Sequence, residues 1–102
     1  MSKPKYGWWG YVKWMVRQYP NRKDKNLHGK VLDECSAVQK AIDQTMMQED
    51  GANRMQIIEL VFFKQTHTIE GAAMMAHCGY ETAKRWVQQF IKTVARNRGL
   101  MD

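Results

Sequence analysis

Apolar positions along the chain recur at three- and four-residue intervals, and nowhere do they alternate with polar ones over several residues. The pattern predicts an all-α chain. Trp8, Val12, Met15, Val16 and Tyr19 fall at i, i+4, i+7, i+8 and i+11, one stripe of a first helix that begins near Tyr6 or Gly7. Trp9 and Tyr11 broaden this stripe and Trp14 lies off its centre. Proline disfavours a helical residue ahead of it, so the helix is expected to stop before Pro20. The polar stretch 20–29 then reads as a connector.

A second helix is expected over about Lys30 to Gln48, carried by Val31, Cys35, Val38, Ala41, Ile42 and Met46. Asp33 and Glu34 would lie in its first turn, where acids favour the helix dipole, and Glu49, Asp50 and Gly51 would end it. A third helix, from about Ala52 to Lys64, has Met55, Ile58, Val61 and Phe62 on one side. Ile57, Leu60 and Phe63 make it apolar nearly all round, which assigns it the centre of a bundle with the aromatic first helix covering its far side.

The stretch 66–99 predicts a helix-turn-helix. Thr68 is a good N-cap for a short helix Ile69–Ala76, which would present Ala72, Ala73 and Met75. The small residues Gly71, Ala72 and Ala73 suit a close helix crossing, and 76–79 forms a tight connector. Gly79 takes the N-cap place of the next helix, where a hydroxyl would serve better. The last helix, Tyr80 to Arg98, places Ala83, Trp86, Val87, Phe90, Ile91 and Val94 in one stripe, and Gly99 stops it. Glu81, Arg85, Gln88 and Lys92 occupy the opposite face, bordered by Gln89 and Arg96 on one side and Lys84 on the other.

Charge adds a partner class to this picture. The 102 residues carry a net charge of +6, unevenly distributed. Residues 1–30 hold eight Lys/Arg against one acid, 31–51 hold one against five, and 52–102 hold seven against four. Basic ends around an acidic middle suit an anionic partner at the two ends, and double-stranded DNA is the one a helix-turn-helix engages. Arg85 can pair with guanine, and Gln88 or Gln89 with adenine; Glu81 can accept from cytosine or orient Arg85. Lys84, Lys92, Thr66 and Thr68 suit phosphate contacts.

Other chemistry finds no support. There is no nucleophile–base arrangement and no phosphate-cradling glycine loop, so the chain reads as a non-enzyme. His28, His67 and His77 with Cys35 and Cys78 match no common zinc spacing, and neither metal nor cofactor is expected. The two cysteines read as free thiols. No run approaches the roughly 18 to 20 uncharged apolar residues of a membrane span. The N-terminus lacks a signal-peptide core, so cytoplasmic residence is expected. The length suits a single domain over 1–102: an aromatic, basic helix and connector (1–29), central helices (30–64) and the helix-turn-helix (66–99).

The run Ile58 to Ala73, the segment Thr82-Ala-Lys-Arg-Trp86 and the pair Phe90-Ile91 resemble the ArpU/RinA-like regulators of bacterial phages, which are similar in turn to region 4 of sigma factors. Tyr6-Gly-Trp-Trp-Gly-Tyr-Val-Lys13 and Tyr19-Pro20 resemble the opening of such proteins. The periodicity gives an all-α, small helical bundle of about five helices, and the resemblance makes its closing helix-turn-helix sigma region-4-like and implies a transcriptional regulator of late phage genes in a bacterial host cell. It would place Tyr80 to Lys92, with Tyr80 and Thr82 among the contacts, in the major groove of promoter DNA. Gly79 departs from the usual serine, which removes a hydroxyl from that contact surface. RNA polymerase is a further expected partner, and a homodimer is compatible with the small core. Two other readings stand beside this one: a small terminase subunit that binds packaging DNA as a ring, and a protein-interaction module that docks on polymerase without DNA.

Overall fold

The computed structural model describes residues 7–101. Among them the chain forms five α-helices: α1 (Trp9–Arg22), α2 (Gly29–Met46), α3 (Gly51–Ile58), α4 (Ile69–Met75) and α5 (Tyr80–Asn97). The chain is all-helical, as its periodicity requires, and no described residue lies in a strand. No described helix is long and apolar enough to cross a membrane.

The stripe read from the sequence is the buried side of α1, where Val12, Met15, Val16 and Tyr19 are all nearly inaccessible. A helix start at Tyr6 lies outside the described residues; the assigned helix opens at Trp9. Its far end corrects the sequence reading, because α1 passes through Pro20 and continues to Arg22. Proline in a last turn forfeits one backbone bond. That loss is offset: the Lys23 N–H still donates to the Tyr19 carbonyl at 2.9 Å, the Tyr19 ring packs 5.7 Å from Phe63, and Arg22 reaches Glu34 at 2.7 Å.

The second correction concerns Asp33 and Glu34. Because α2 opens at Gly29, neither acid lies in its first turn. Glu34 is instead buried, at 3% exposure. It accepts from the Tyr11 hydroxyl and from the Arg22 guanidinium at 2.7 Å. Burial pushes the Glu34 carboxyl up, but those two hydrogen bonds and the charges of Arg22 and Lys30 outweigh it and hold it below the usual carboxylate range. A buried acid thus ties α1 to α2.

The third correction is Gly51, which begins α3 rather than closing α2. A Cβ there would lie 2.6 Å from the Thr45 carbonyl oxygen and 2.7 Å from that of Met46. Only glycine permits this approach, and the close approach folds α3 back along α2. Beyond Ile58 the helix widens into a π-helical turn, Glu59–Phe63, marked by the Lys64 N–H donating to the Glu59 carbonyl at 2.7 Å. Ile57, Ile58 and Phe62 are almost fully buried, and α1 packs over the π turn, so the aromatic first helix covers it as expected. α5 touches all four other helices.

Candidate nucleic-acid interface

Thr68 has extended backbone and its hydroxyl oxygen accepts from the Gly71 N–H at 3.1 Å, the expected N-cap of α4. Gly71 therefore supplies a capped N–H rather than a gap at the helix crossing. The atoms nearest to a Cβ on Gly71 would be those of the His67 and Thr68 side chains, at 3.5–3.8 Å. The close faces are made by Ala72, Ala73, Ala76 and Ala83, all buried. Met75, expected to pack inward, is 53% exposed. It turns out with Met74 because Ala72, Ala73 and Ala76 already occupy the inner side of this seven-residue helix.

α4 closes on a left-handed residue, His77, with φ +57°. The Cys78 N–H donates to the Ala73 carbonyl at 3.0 Å and the His77 N–H to that of Met74 at 3.2 Å. This is the Schellman closure, in which glycine normally holds the left-handed place. Here the glycine comes two residues later. Gly79 is the extended N-cap of α5 and offers no side-chain cap, and a Cβ there would meet nothing within 4 Å.

α5 buries Ala83, Trp86, Val87, Phe90, Ile91, Val94 and Ala95. On its outer side Tyr80, Glu81, Lys84, Arg85, Gln88 and Gln89 are exposed, with Thr82 and Lys92 half-buried at the margins. All eight lie along one accessible side of α5. No described residue pairs with the charged heads of Glu81, Lys84, Arg85 or Lys92, since the ion pairs join Arg22 to Glu34 and Lys64 to Glu59. Thr66 is exposed before α4, its hydroxyl 2.8 Å from His67 Nδ1. Thr68 spends its oxygen on the cap and keeps its hydroxyl hydrogen for an outside acceptor.

Gln89 is the exception on this surface. Its side-chain oxygen accepts from Arg54 Nη1 at 2.9 Å. The adenine pairing expected from the sequence uses both ends of the amide; Gln88 has both without a partner among the described residues, whereas the Gln89 oxygen already gives one of its two lone pairs to Arg54. Arg54 was not among the residues the sequence marked. It stands on α3, 35 positions from Gln89, and only tertiary structure brings the two together. A lone arginine on a largely apolar helix is the one local sign. Gly99, with φ +84°, ends α5 as expected, the Leu100 N–H donating to the Ala95 carbonyl at 2.8 Å.

The fold and this surface define a class: a small all-helical bundle whose last two helices, α4 and α5, are joined by a tight turn, with exposed cationic and amide side chains along the outer side of α5. No known family model, curated protein or solved structure matches the chain.

Proposed function

We propose that this chain is a sequence-specific DNA-binding transcriptional regulator of the phage or prophage type, reading promoter DNA through α5. The observation that carries the proposal is the outer side of α5. Arg85 and Gln88, exposed and free of partners among the described residues, project from the second helix of a helix-turn-helix. Such a helix enters the major groove with its first turns against base edges. Lys84, Lys92, Thr66 and Thr68 flank this row and suit phosphates, which position the helix without reading sequence. The proposed target, late-gene promoters, is taken from the sequence resemblance of 58–73, 82–86 and 90–91 to phage regulators.

Fluorescence anisotropy with labelled phage promoter DNA at two salt concentrations tests this. Affinity should fall steeply with salt, and Lys92→Ala should lower the log–log slope by about 1. Arg85→Ala combined with Lys92→Ala should weaken binding by on the order of tenfold or more. Absent binding, or binding indifferent to that pair, refutes the proposal.

A second reading, docking on RNA polymerase, draws on a separate observation. Trp14 is 46% exposed, stacked on Tyr11 with ring centroids 6.3 Å apart, and sits away from the stripe that forms the core. A polymerase pull-down that survives nuclease treatment and is lost in Trp14→Ala would support it, and capture that Trp14→Ala leaves intact would refute it.

A further inference from the structure

Arg54 is fixed by contacts from two directions. Its Nε donates to the Glu49 carbonyl at 3.0 Å and its Nη1 to Gln48 Oε1 at 3.0 Å, both in the connection between α2 and α3. From the other side Nη1 donates to Gln89 at 2.9 Å, and the guanidinium lies 5.2 Å from the ring centroid of Trp86. Trp86 is buried, so the arginine rests on a rigid platform.

A guanidinium has five N–H donors and no acceptor. The atom of Gln89 that faces it must therefore be the carbonyl oxygen, and the amide nitrogen must turn outward. Arg54 takes one of the two lone pairs of that oxygen and holds it toward α3, so Gln89 leads with its two N–H donors toward whatever approaches α5. In the major groove guanine presents two adjacent acceptors, N7 and O6. Adenine presents one acceptor beside an amino group that itself needs an acceptor. An edge led by donors matches the first and serves the adenine amino group less well.

From this geometry we infer that Arg54 is a positioning residue that sets base preference: by holding the Gln89 oxygen it makes Gln89 select guanine over adenine at the base pair it faces. The inference rests on the reading of α5 as the DNA-facing helix. Arg54 acts through Gln89 and needs no base contact of its own.

Selection of binding sites from a random DNA pool tests it, with wild type, Gln89→Ala, Arg54→Met and Gln89→Glu compared and folding checked by circular dichroism. Gln89→Ala identifies the base pair, as the single position whose preference relaxes. Wild type should hold guanine there. Arg54→Met frees the glutamine amide to pair with adenine and should shift the guanine-to-adenine ratio at that position by on the order of tenfold, other positions being unchanged. Should Arg54→Met fail to fold, Gln89→Glu decides. That substitution keeps an oxygen for Arg54 and turns an acceptor outward, so the preference should move to cytosine. A selected site with adenine at that position in wild type overturns this inference alone. So does a folded Arg54→Met that binds all sites more weakly with an unchanged profile, a folded Gln89→Glu that retains guanine, or a Gln89→Ala that relaxes no position. Wild type that enriches no site overturns the DNA-binding reading and this inference with it.

Discussion

Replacing Gly51 with alanine adds one methyl group where the chain has no room for it. The new carbon would meet the Thr45 oxygen at 2.6 Å, the Met46 oxygen at 2.7 Å and the Met46 carbonyl carbon at 2.9 Å. All three are backbone atoms at the end of α2, so no side chain can swing aside. Relief requires the connection between α2 and α3 to move by several tenths of an ångström, and overpacking of this kind costs about 1–3 kcal/mol. Against it stands the smaller entropy of an alanine in the unfolded chain, worth about 0.4–1 kcal/mol. The net expectation is a loss of about 1–2 kcal/mol, which for a domain of this size lowers Tm by about 5–15 °C. Thermal unfolding followed by circular dichroism measures it. Gly10→Ala is the matched control: it lies inside α1, an added Cβ there meets nothing within 4 Å, and helix propensity alone should stabilise it by up to about 1 kcal/mol. The two substitutions should therefore move Tm in opposite directions. Gly51→Ala at or above wild-type stability would refute the close-approach argument. The same connection carries Gln48 and Glu49, the anchors of Arg54, so the displaced variant should also loosen the hold on Gln89.

Two further outcomes follow from the buried pair and the turn. Glu34→Gln removes the charge and one of the two oxygens that accept separately from Tyr11 and Arg22, and should cost about 2 kcal/mol at neutral pH in urea titration. The folded-state carboxyl titrates below its ordinary value of 4.5, so the unfolded chain takes up the proton first as pH falls. The stabilisation is present above about pH 4.5 and lost as pH drops through the lowered value, and Glu34→Gln should flatten that acid limb; equal slopes in both proteins would count against the ion pair. At the turn, His77→Gly places glycine at the left-handed residue and should raise stability by about 0.5–1 kcal/mol, whereas a lower Tm would show that the imidazole contributes more than its backbone costs.

How far the sequence could be read depended on the range of the interaction. The stripes of α1 and α5, the Thr68 cap and the Gly99 stop are set within one or two turns, where side-chain spacing and cap chemistry act directly, and they stand where the pattern placed them. The exposed row from Glu81 to Gln89 was legible for the same reason: once the apolar stripe of an amphipathic helix is fixed, its opposite face is fixed too. Pro20 misled because its cost is local, while the Tyr19–Phe63 packing and the Arg22–Glu34 bond that offset it come from other elements. Glu34 read as a helix-dipole acid because nothing nearby in sequence reveals a partner 12 residues upstream. Gly51 read as a terminator because a terminator and a close-approach glycine look alike until the neighbouring carbonyls are in place.

Arg54 carries this furthest. From the sequence, Gln88 and Gln89 are chemically identical neighbours on one helix face, and an adenine contact fits either. The structure separates them by a single guanidinium, which engages the oxygen of one and leaves the other untouched. Adjacent residues of the same type then present different edges, one with donor and acceptor equally free and the other led by its donors, its oxygen held toward α3. A distinction of that kind is set by a residue on a different helix, through a bond whose polarity is forced because arginine cannot accept. The specificity of the proposed DNA-reading surface is thus a property of α3 and the connection before it as much as of α5. Substitutions at Gln48, Gly51 or Arg54 should therefore change what the surface reads without touching it.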